Sequence, residues 1–599
     1  MGLGVVRSMS VIVGLVIFFT GSMFSDIGNI GVRDWDQHLF YFSSVMKTVF
    51  EHGQLPLWNP WYCGGSVLYQ NPQVSLLSPV YLVAPIVGLL PAVKITVALY
   101  YCVALFGMYL LARTVYGLSN SFMTLLACCV FVFSGSLSMH IAEGQTHMLA
   151  VAFFPFVLLG YELYLARNQP LWLIFGSAFL ALILWSGGIY AGPLITLFIV
   201  AYALLRAAIE KSMLPLRGLL VIGIYAFLFS ALRLVPVMDY MRDYPRIVMA
   251  REFIPPGIWY DIFFSRGQSL FTEATLTDSS LPIGWQPQWG WHEYGSYVGI
   301  PIVVILGAAF VRTGLSVRDH HNQGRDLALL VCWLGFFALF VGDFALANPY
   351  RLLKQFPFFR SFHVTGRFLI PLMFVSSLVI LCFFRWVQDL LAGRKLVNYA
   401  VAVACVLVVG DLMLETRRPL GEAFTVDPAV YHRSAPIDAD SGHYQAIASL
   451  PILAHHSISS MYPAILVDVS TVNCYEPLKP RKGYELDKPL VFSPDAGISI
   501  SNIVFSPNRI TFDLDVDDYG WVVLNQNFVR GWSLTGTEAI VRELGHKPAV
   551  RISPGSYKDI SFRFFPASIW WGLALTSVGV VVALKQLVSS RSPVASMHQ

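Results

Sequence analysis

The sequence predicts a polytopic α-helical membrane protein of about twelve spanning helices, with a β-rich domain outside the membrane inserted before the last of them. Three observations carry that class. Of 599 residues only 13% are charged, 40 Lys and Arg against 36 Asp and Glu, while 56% are apolar and 14% aromatic. A soluble chain spends about a quarter of its residues on charge, so this one has too little polar surface for water. Its apolar residues fall in discrete runs of spanning length, and the bases between the runs gather in every second loop. The net charge of +4 gives no basis for a nucleic-acid partner, and the hydropathy excludes a soluble enzyme.

The runs centre on residues 9–26, 94–112, 120–136, 147–165, 171–187, 190–207, 217–237, 297–311, 327–342, 367–384, 397–414 and 567–584. Arg7 precedes the first, and no small-residue cleavage site follows it, so it reads as an uncleaved anchor that starts in the cytoplasm. The alternate short loops then hold fourteen bases, from Arg7 to Arg591, against Glu210, Asp319, Asp326 and Asp389. That is the positive-inside asymmetry, with both termini cytoplasmic. The run 76–91 would invert it by placing Arg113 outside, and Pro79, Pro85 and Pro91 interrupt it. It reads as an interfacial or re-entrant segment on the outer surface.

The outer side receives the long polar segments 27–93, 137–146, 238–296, 343–366 and 415–566. The chain therefore divides into a membrane module, 1–414, a β-rich domain, 415–566, and a last helix with its tail, 567–599. The runs Arg509-Ile-Thr-Phe-Asp-Leu-Asp-Val and Gly520-Trp-Val-Val-Leu alternate as strands do. Six of the eight cysteines lie in apolar runs, leaving Cys63 and Cys474 in polar regions, with no zinc spacing and no CxxC.

Chemistry is sought in the outer loops. Asp34 and Asp36 stand just beyond a spanning helix, where a carboxylate can serve as general base to an acceptor hydroxyl or cap the helix that begins near Gln37. Trp58 and Trp61 suit sugar stacking or an interfacial aromatic belt, and Asn59 and Asn71, each before a proline, suit turn ties. His140, Glu143 and His147, spaced by three and four, would share one helical face toward a divalent metal or a substrate phosphate, or merely end helices, with Glu143 and His147 the metal candidates.

Arg367 opens a spanning helix, where a cation is costly, and its planar fork suits a phosphate; a snorkelling anchor is the alternative. Arg360, His363 and Lys354 are secondary contacts. Between 238 and 296, Asp239, Arg242, Asp243, Arg246, Arg251 and Glu252 read mostly as solvated pairs. Trp285, Trp289, Trp291, His292, Glu293 and Tyr294 offer an acceptor face. No Walker loop is present, and the glycines of Ser186-Gly-Gly-Ile-Tyr-Ala-Gly follow a helix rather than a strand, so nucleotide use has no support.

The run Gly53-Gln-Leu-Pro-Leu-Trp-Asn-Pro, then Gly64-Gly, Asn71-Pro-Gln and Ser78-Pro, preceded by acids at 34 and 36, resembles the first outer loop of the YfhO-like bacterial membrane proteins. Glu293-Tyr-Gly-Ser-Tyr-Val-Gly, Gly366-Arg-Phe, Asn525-Gln-Asn-Phe-Val-Arg-Gly-Trp, Pro554-Gly and Phe565-Pro follow in the same order, so the resemblance covers most of the chain. It implies a GT-C-like glycosyltransferase of the bacterial inner membrane. Such an enzyme moves a sugar from a polyprenyl phosphate to an extracytoplasmic glycan or protein. The loop acid would be Asp36 or Asp34, and Trp58, Asn59, Gln73, Glu143, His140, His147, Glu293 and Tyr294 would lie near the substrates. Where the family commonly has Gly-Asp, this chain has Arg33-Asp34. No cofactor is required by these residues, although a divalent cation would fit the chemistry.

The rival readings are a transporter or flippase of lipid-linked saccharides and a non-catalytic glycan-binding scaffold. A transporter would carry charges near the bilayer midplane and repeat symmetry, whereas here the polar groups gather at the outer rim and no two-half pattern shows.

Overall fold

A computed structural model describes residues 3–247, 252–271, 289–315, 323–344, 348–428, 445–447, 461–466, 469–471, 481–485 and 488–589. Each of the twelve apolar runs is helical. Eight helices among the described residues are long and apolar enough to cross a membrane: Leu89–Thr114, Thr146–Arg167, Ala191–Glu210, Leu214–Asp243, Gly324–Val341, Thr365–Leu390, Lys395–Glu422 and Ser568–Ser589. A ninth arises if Ser121–Val132 and Gly135–Glu143, bent by 41°, count as one.

The expected twelve thus reduces to eight or nine on length alone. Ser8–Phe24, Pro170–Trp185 and Ile300–Gly314 fall below the roughly 20 residues a perpendicular span needs. The run 76–91 holds only the eight-residue helix Val80–Val87, which exposes Leu82 and Ile86. Helix Thr365–Leu390 is buried over 94% of its apolar window and forms the centre of the bundle; Ser568–Ser589, at 17%, lies on its outside.

A proline explains how the first outer loop is held. Pro236, inside Leu214–Asp243, has no N–H to give the Leu232 carbonyl one turn earlier. That carbonyl accepts the Tyr69 hydroxyl instead, at 3.0 Å. One turn away, the buried Arg233 donates to the carbonyls of Tyr69, Asn71 and Val74.

The C-terminal region is a β-sheet domain of two four-stranded antiparallel sheets. One runs in the order Arg542–Leu544, Lys547–Ile552, Gly520–Leu524, Val491–Phe492, and the other Ile498–Ser506, Arg509–Val516, Gly555–Phe564, Trp532–Thr535. In Arg509–Val516 the alternation expected from sequence buries Ile510, Phe512 and Leu514.

Trp58 of the first loop completes this core, 5.1 Å from Trp532 and 4.7 Å from Phe564 between ring centroids, with its indole N–H donated to Gln526. Asn527 Nδ2 donates to the carbonyls of Cys63 and Gly65, and its own N–H to Gly64. The Gly64-Gly65 turn and the Asn525-Gln-Asn run, far apart in sequence, are two halves of one clasp. Cys63 is disulfide-bonded, while the six cysteines of the apolar runs are free thiols; Cys474 lies outside the described residues.

Candidate active site

Two glycines bring the outer loops together. Gly144, at φ +106°, ends the helix Gly135–Glu143 in the left-handed region. A Cβ there would strike the backbone of Asp34 and Trp35, so a bare residue lets the Asp34 N–H reach the Glu143 carbonyl at 3.0 Å. Gly366 presses in the same way on the Glu293 carbonyl, which sets the next residue, Arg367, beside the Glu293 side chain.

Arg367 is buried and grips that carboxylate with both arms of its fork, Nε to Oε2 at 3.0 Å and Nη2 to Oε1 at 2.5 Å. Gln145 Nε2 donates to the same carboxylate at 3.2 Å, and His140 Nε2 lies 3.3 Å from it. Burial alone would push the Glu293 carboxyl up, but the Arg367 guanidinium and the His140 contact hold it well below the usual range.

The rest of the cluster surrounds Tyr190. The Arg367 guanidinium stacks 4.1 Å from its ring, the His147 ring is 5.2 Å away, and Arg246 donates to its hydroxyl. Arg367 Nη1, Arg246 Nε and both His147 ring nitrogens are buried without a hydrogen-bond partner. Glu143 Oε1 lies 3.4 Å from Arg33 Nη1, while its Oε2 has no partner and stands 3.8 Å from His292 Nδ1, which has none either. Burial lowers His292 to about 4, so the ring is neutral at pH 7. Unsatisfied buried groups cost about 1–3 kcal/mol each, and so many in one place mark a site made for a polar partner.

An apolar groove of about 400 Å³ between Ser78–Leu82, Tyr100, Phe153 and Leu182 ends at Ser186, four residues before Tyr190.

The sequence-predicted residues separate cleanly. Arg367, Glu293, Glu143, His140 and His147 share the cluster, and the Asp34 backbone adjoins it. The three helix-spaced residues do not share one helical face, because Gly144 breaks the helix and His147 lies on the following 3₁₀ turn Thr146–Phe153. Among the described residues no three His, Cys, Asp or Glu side chains are arranged to hold a metal ion.

Asp36 points away from His38 and the cluster, since two residues turn a helix by about 200°. Its carboxylate is buried and accepts the backbone N–H groups of Met461 and Tyr462 at 3.1 and 3.0 Å, capping the short helix Met461–Leu466. Asp36→Ala is therefore expected to cost about 1–3 kcal/mol by orphaning those donors, with Asp36→Asn milder. Thermal unfolding in detergent measures this, and a variant as stable as the parent but inactive would return Asp36 to the chemistry.

Trp58 and Trp61 are buried in protein contacts, neither stacking platform nor belt. Asn59 and Asn71 tie turns by accepting the N–H groups of Trp61 and Gln73, which leaves Asn59 and Gln73 outside the cluster. Arg360 is exposed; Lys354 lies over the Tyr350 ring and His363 against Trp289. Tyr294 is buried and donates to Glu252, which is no solvated pair. Glu252 also accepts the Thr365 N–H at 2.5 Å and hydroxyl at 3.0 Å, and burial raises its carboxyl to about 7. Arg251 and Trp285 lie outside the described residues. Tyr190 was missed: a lone aromatic in a glycine-bearing turn carries no sequence signal beyond those glycines.

No family model matches the chain, and no curated protein matches it in sequence. Among solved structures it is similar to the arabinofuranosyltransferase AftD from Mycobacteria, at 14% identity over 94% of this chain and 40% of that one, with a TM-score of 0.46. It is also similar to the oligosaccharyltransferase of Archaeoglobus fulgidus in the apo form, at 14% identity over 71% of this chain and 57% of that one, TM-score 0.42. The same organism's AglB, in complex with an inhibitory peptide and a dolichol-phosphate, matches at 11% identity over 72% and 58%, TM-score 0.39. The chain spans less than three fifths of each of these proteins. At such identities and TM-scores the likeness carries no chemistry, which has to be argued from the cluster itself.

Proposed function

We propose that this chain is a membrane glycosyltransferase that moves a sugar from a polyprenyl-phosphate donor to a glycan, glycolipid or protein outside the cytoplasmic membrane. The observation that carries the reading is the ring of buried, unpartnered donors around Tyr190, from Arg367, Arg246 and His147, beside an apolar groove. Guanidinium donors suit a phosphate, and an apolar groove suits the chain attached to it. The donor then enters sideways from the bilayer, and the acceptor meets the face made by Glu143 and His292.

The base asymmetry supports a cytoplasmic N-terminus, and the disulfide at Cys63 supports an oxidising compartment for the first loop and its β-domain clasp. The YfhO-like resemblance implies the same reaction class. Residues 1–414 would then supply the transfer site and 415–566 a domain that braces the first loop.

The test is purified protein in nanodiscs, given radiolabelled polyprenyl-phosphate hexoses or pentoses and an envelope extract as acceptor. Label is expected to pass to the acceptor. Label that crosses the bilayer without transfer would make the protein a flippase, and binding alone would make it a scaffold.

A further inference from the structure

Among the carboxylates near the cluster, three are already committed. Asp36 caps a helix, Glu293 is held by Arg367, Gln145 and His140, and Glu252 accepts three donors from Tyr294 and Thr365. Glu143 differs. One oxygen faces Arg33, and the other is buried, bare, and 3.8 Å from an equally bare imidazole nitrogen of His292. That gap is too long for a hydrogen bond. A hydroxyl oxygen at about 2.8 Å from each group would sit at the apex of a triangle on that base and satisfy both.

The Arg33 backbone adds a second observation. It holds φ +53°, in the left-handed region where an ordinary side chain costs about 1–2 kcal/mol and a glycine would sit freely. The strained residue is one whose guanidinium reaches Glu143 and the Leu270 carbonyl. Such strain is kept where the side chain has a task, and here the task is to fix one oxygen of Glu143 and favour its ionised form. Because His292 is neutral, the bare oxygen faces a polar ring rather than a cation.

We infer that Glu143, with His292 opposite, is the base that takes the proton from the acceptor hydroxyl, an inference that rests on the transferase reading above. In that step the acceptor oxygen forms a bond to the anomeric carbon. The bond from that carbon to the donor phosphate oxygen breaks, its electron pair leaving with the phosphate, and the acceptor proton passes to Glu143 Oε2. His292 is a positioning residue that orients the hydroxyl.

The test uses the nanodisc assay with radiolabelled polyprenyl-phosphate hexoses and a parallel measurement of polyprenyl-phosphate binding. Glu143→Gln is expected to lower kcat by about 10²–10⁴-fold, with the Kd for polyprenyl phosphate within about twofold of the parent, and Glu143→Asp to recover part of the loss. Parental turnover in Glu143→Gln beside an inactive Asp34→Asn would move the proton to Asp34, overturning the inference while leaving the transferase reading standing. A parent that transfers from none of the donors removes both. Should Glu143→Gln fail to assemble, Glu143→Asp and His292→Asn carry the test: a lowered kcat at constant KM is expected of each, and parental kcat in both overturns the assignment.

Discussion

Glu293→Ala is expected to be the most destabilising single change in the polar cluster, costing about 3–5 kcal/mol, because it leaves a buried guanidinium without its counter-charge. Glu293 answers both arms of Arg367 and also meets Gln145 and His140, so one truncation strands groups from three separate segments. Those segments are Gly135–Glu143 with its following turn, Trp291–Tyr294, and the start of the central helix. Glu293→Gln keeps the volume and one acceptor but turns an amide N–H₂ toward donors, and should fall between parent and Ala. The exposed pair Arg385–Asp389 gives the control. Surface pairs contribute about 0–1 kcal/mol, so Asp389→Ala should leave the melting curve unchanged. Fluorescence-detected thermal unfolding of solubilised protein reads all three. A Glu293→Ala protein that melts with the parent would mean that Arg367 finds another partner, and that the cluster is wetter than its burial suggests.

What the sequence made legible, and what it did not, follows from the range of the interactions involved. Apolar runs located the helices because burial in lipid is decided over some twenty consecutive residues. Strand alternation located Arg509–Val516 for the same local reason. Length along a single run could not decide how many helices span, since the bend after Val132 and the shortness of Ile300–Gly314 depend on packing.

At the site, Arg367, Glu293 and Glu143 stood out as ionisable residues close to apolar segments, and folding joins them. Asp36 stood out equally, yet its partners are backbone N–H groups more than four hundred positions away, which no local pattern encodes. Trp58 was expected to meet sugar or lipid, because an aromatic near a membrane carries the same signal whether it faces outward or completes a neighbouring β core. Tyr190 and His292 carried little signal of their own. Their roles come from what three other segments place around them, and the only local hint was the glycine-bearing turn that lets Tyr190 lie so close to Arg367.

Arg246 separates the anion site from the ion pair beside it. Arg367 is the more conspicuous cation, but Glu293 compensates its charge and occupies two of its nitrogens. Arg246 donates to the Tyr190 hydroxyl, keeps its Nε free, and meets no carboxylate among the described residues. It is the uncompensated charge of the pair, so a phosphate drawn to Tyr190 should depend on it more than its position suggests. Hydrogen bonds to charged groups contribute about 1.5–3 kcal/mol, and about 1.4 kcal/mol is tenfold in affinity. Arg246→Gln is therefore expected to weaken binding of polyprenyl phosphate by at least about tenfold. It should leave thermal stability near the parent's, since the residue is only half-buried and leaves no carboxylate stranded. Arg246→Lys keeps the charge but not the planar fork and should recover part of the loss. Arg360→Ala, at an exposed position, should bind like the parent. Equal affinities across all three variants would place the phosphate away from Tyr190, and a loss confined to Arg360→Ala would move it to the outer loop at 343–366.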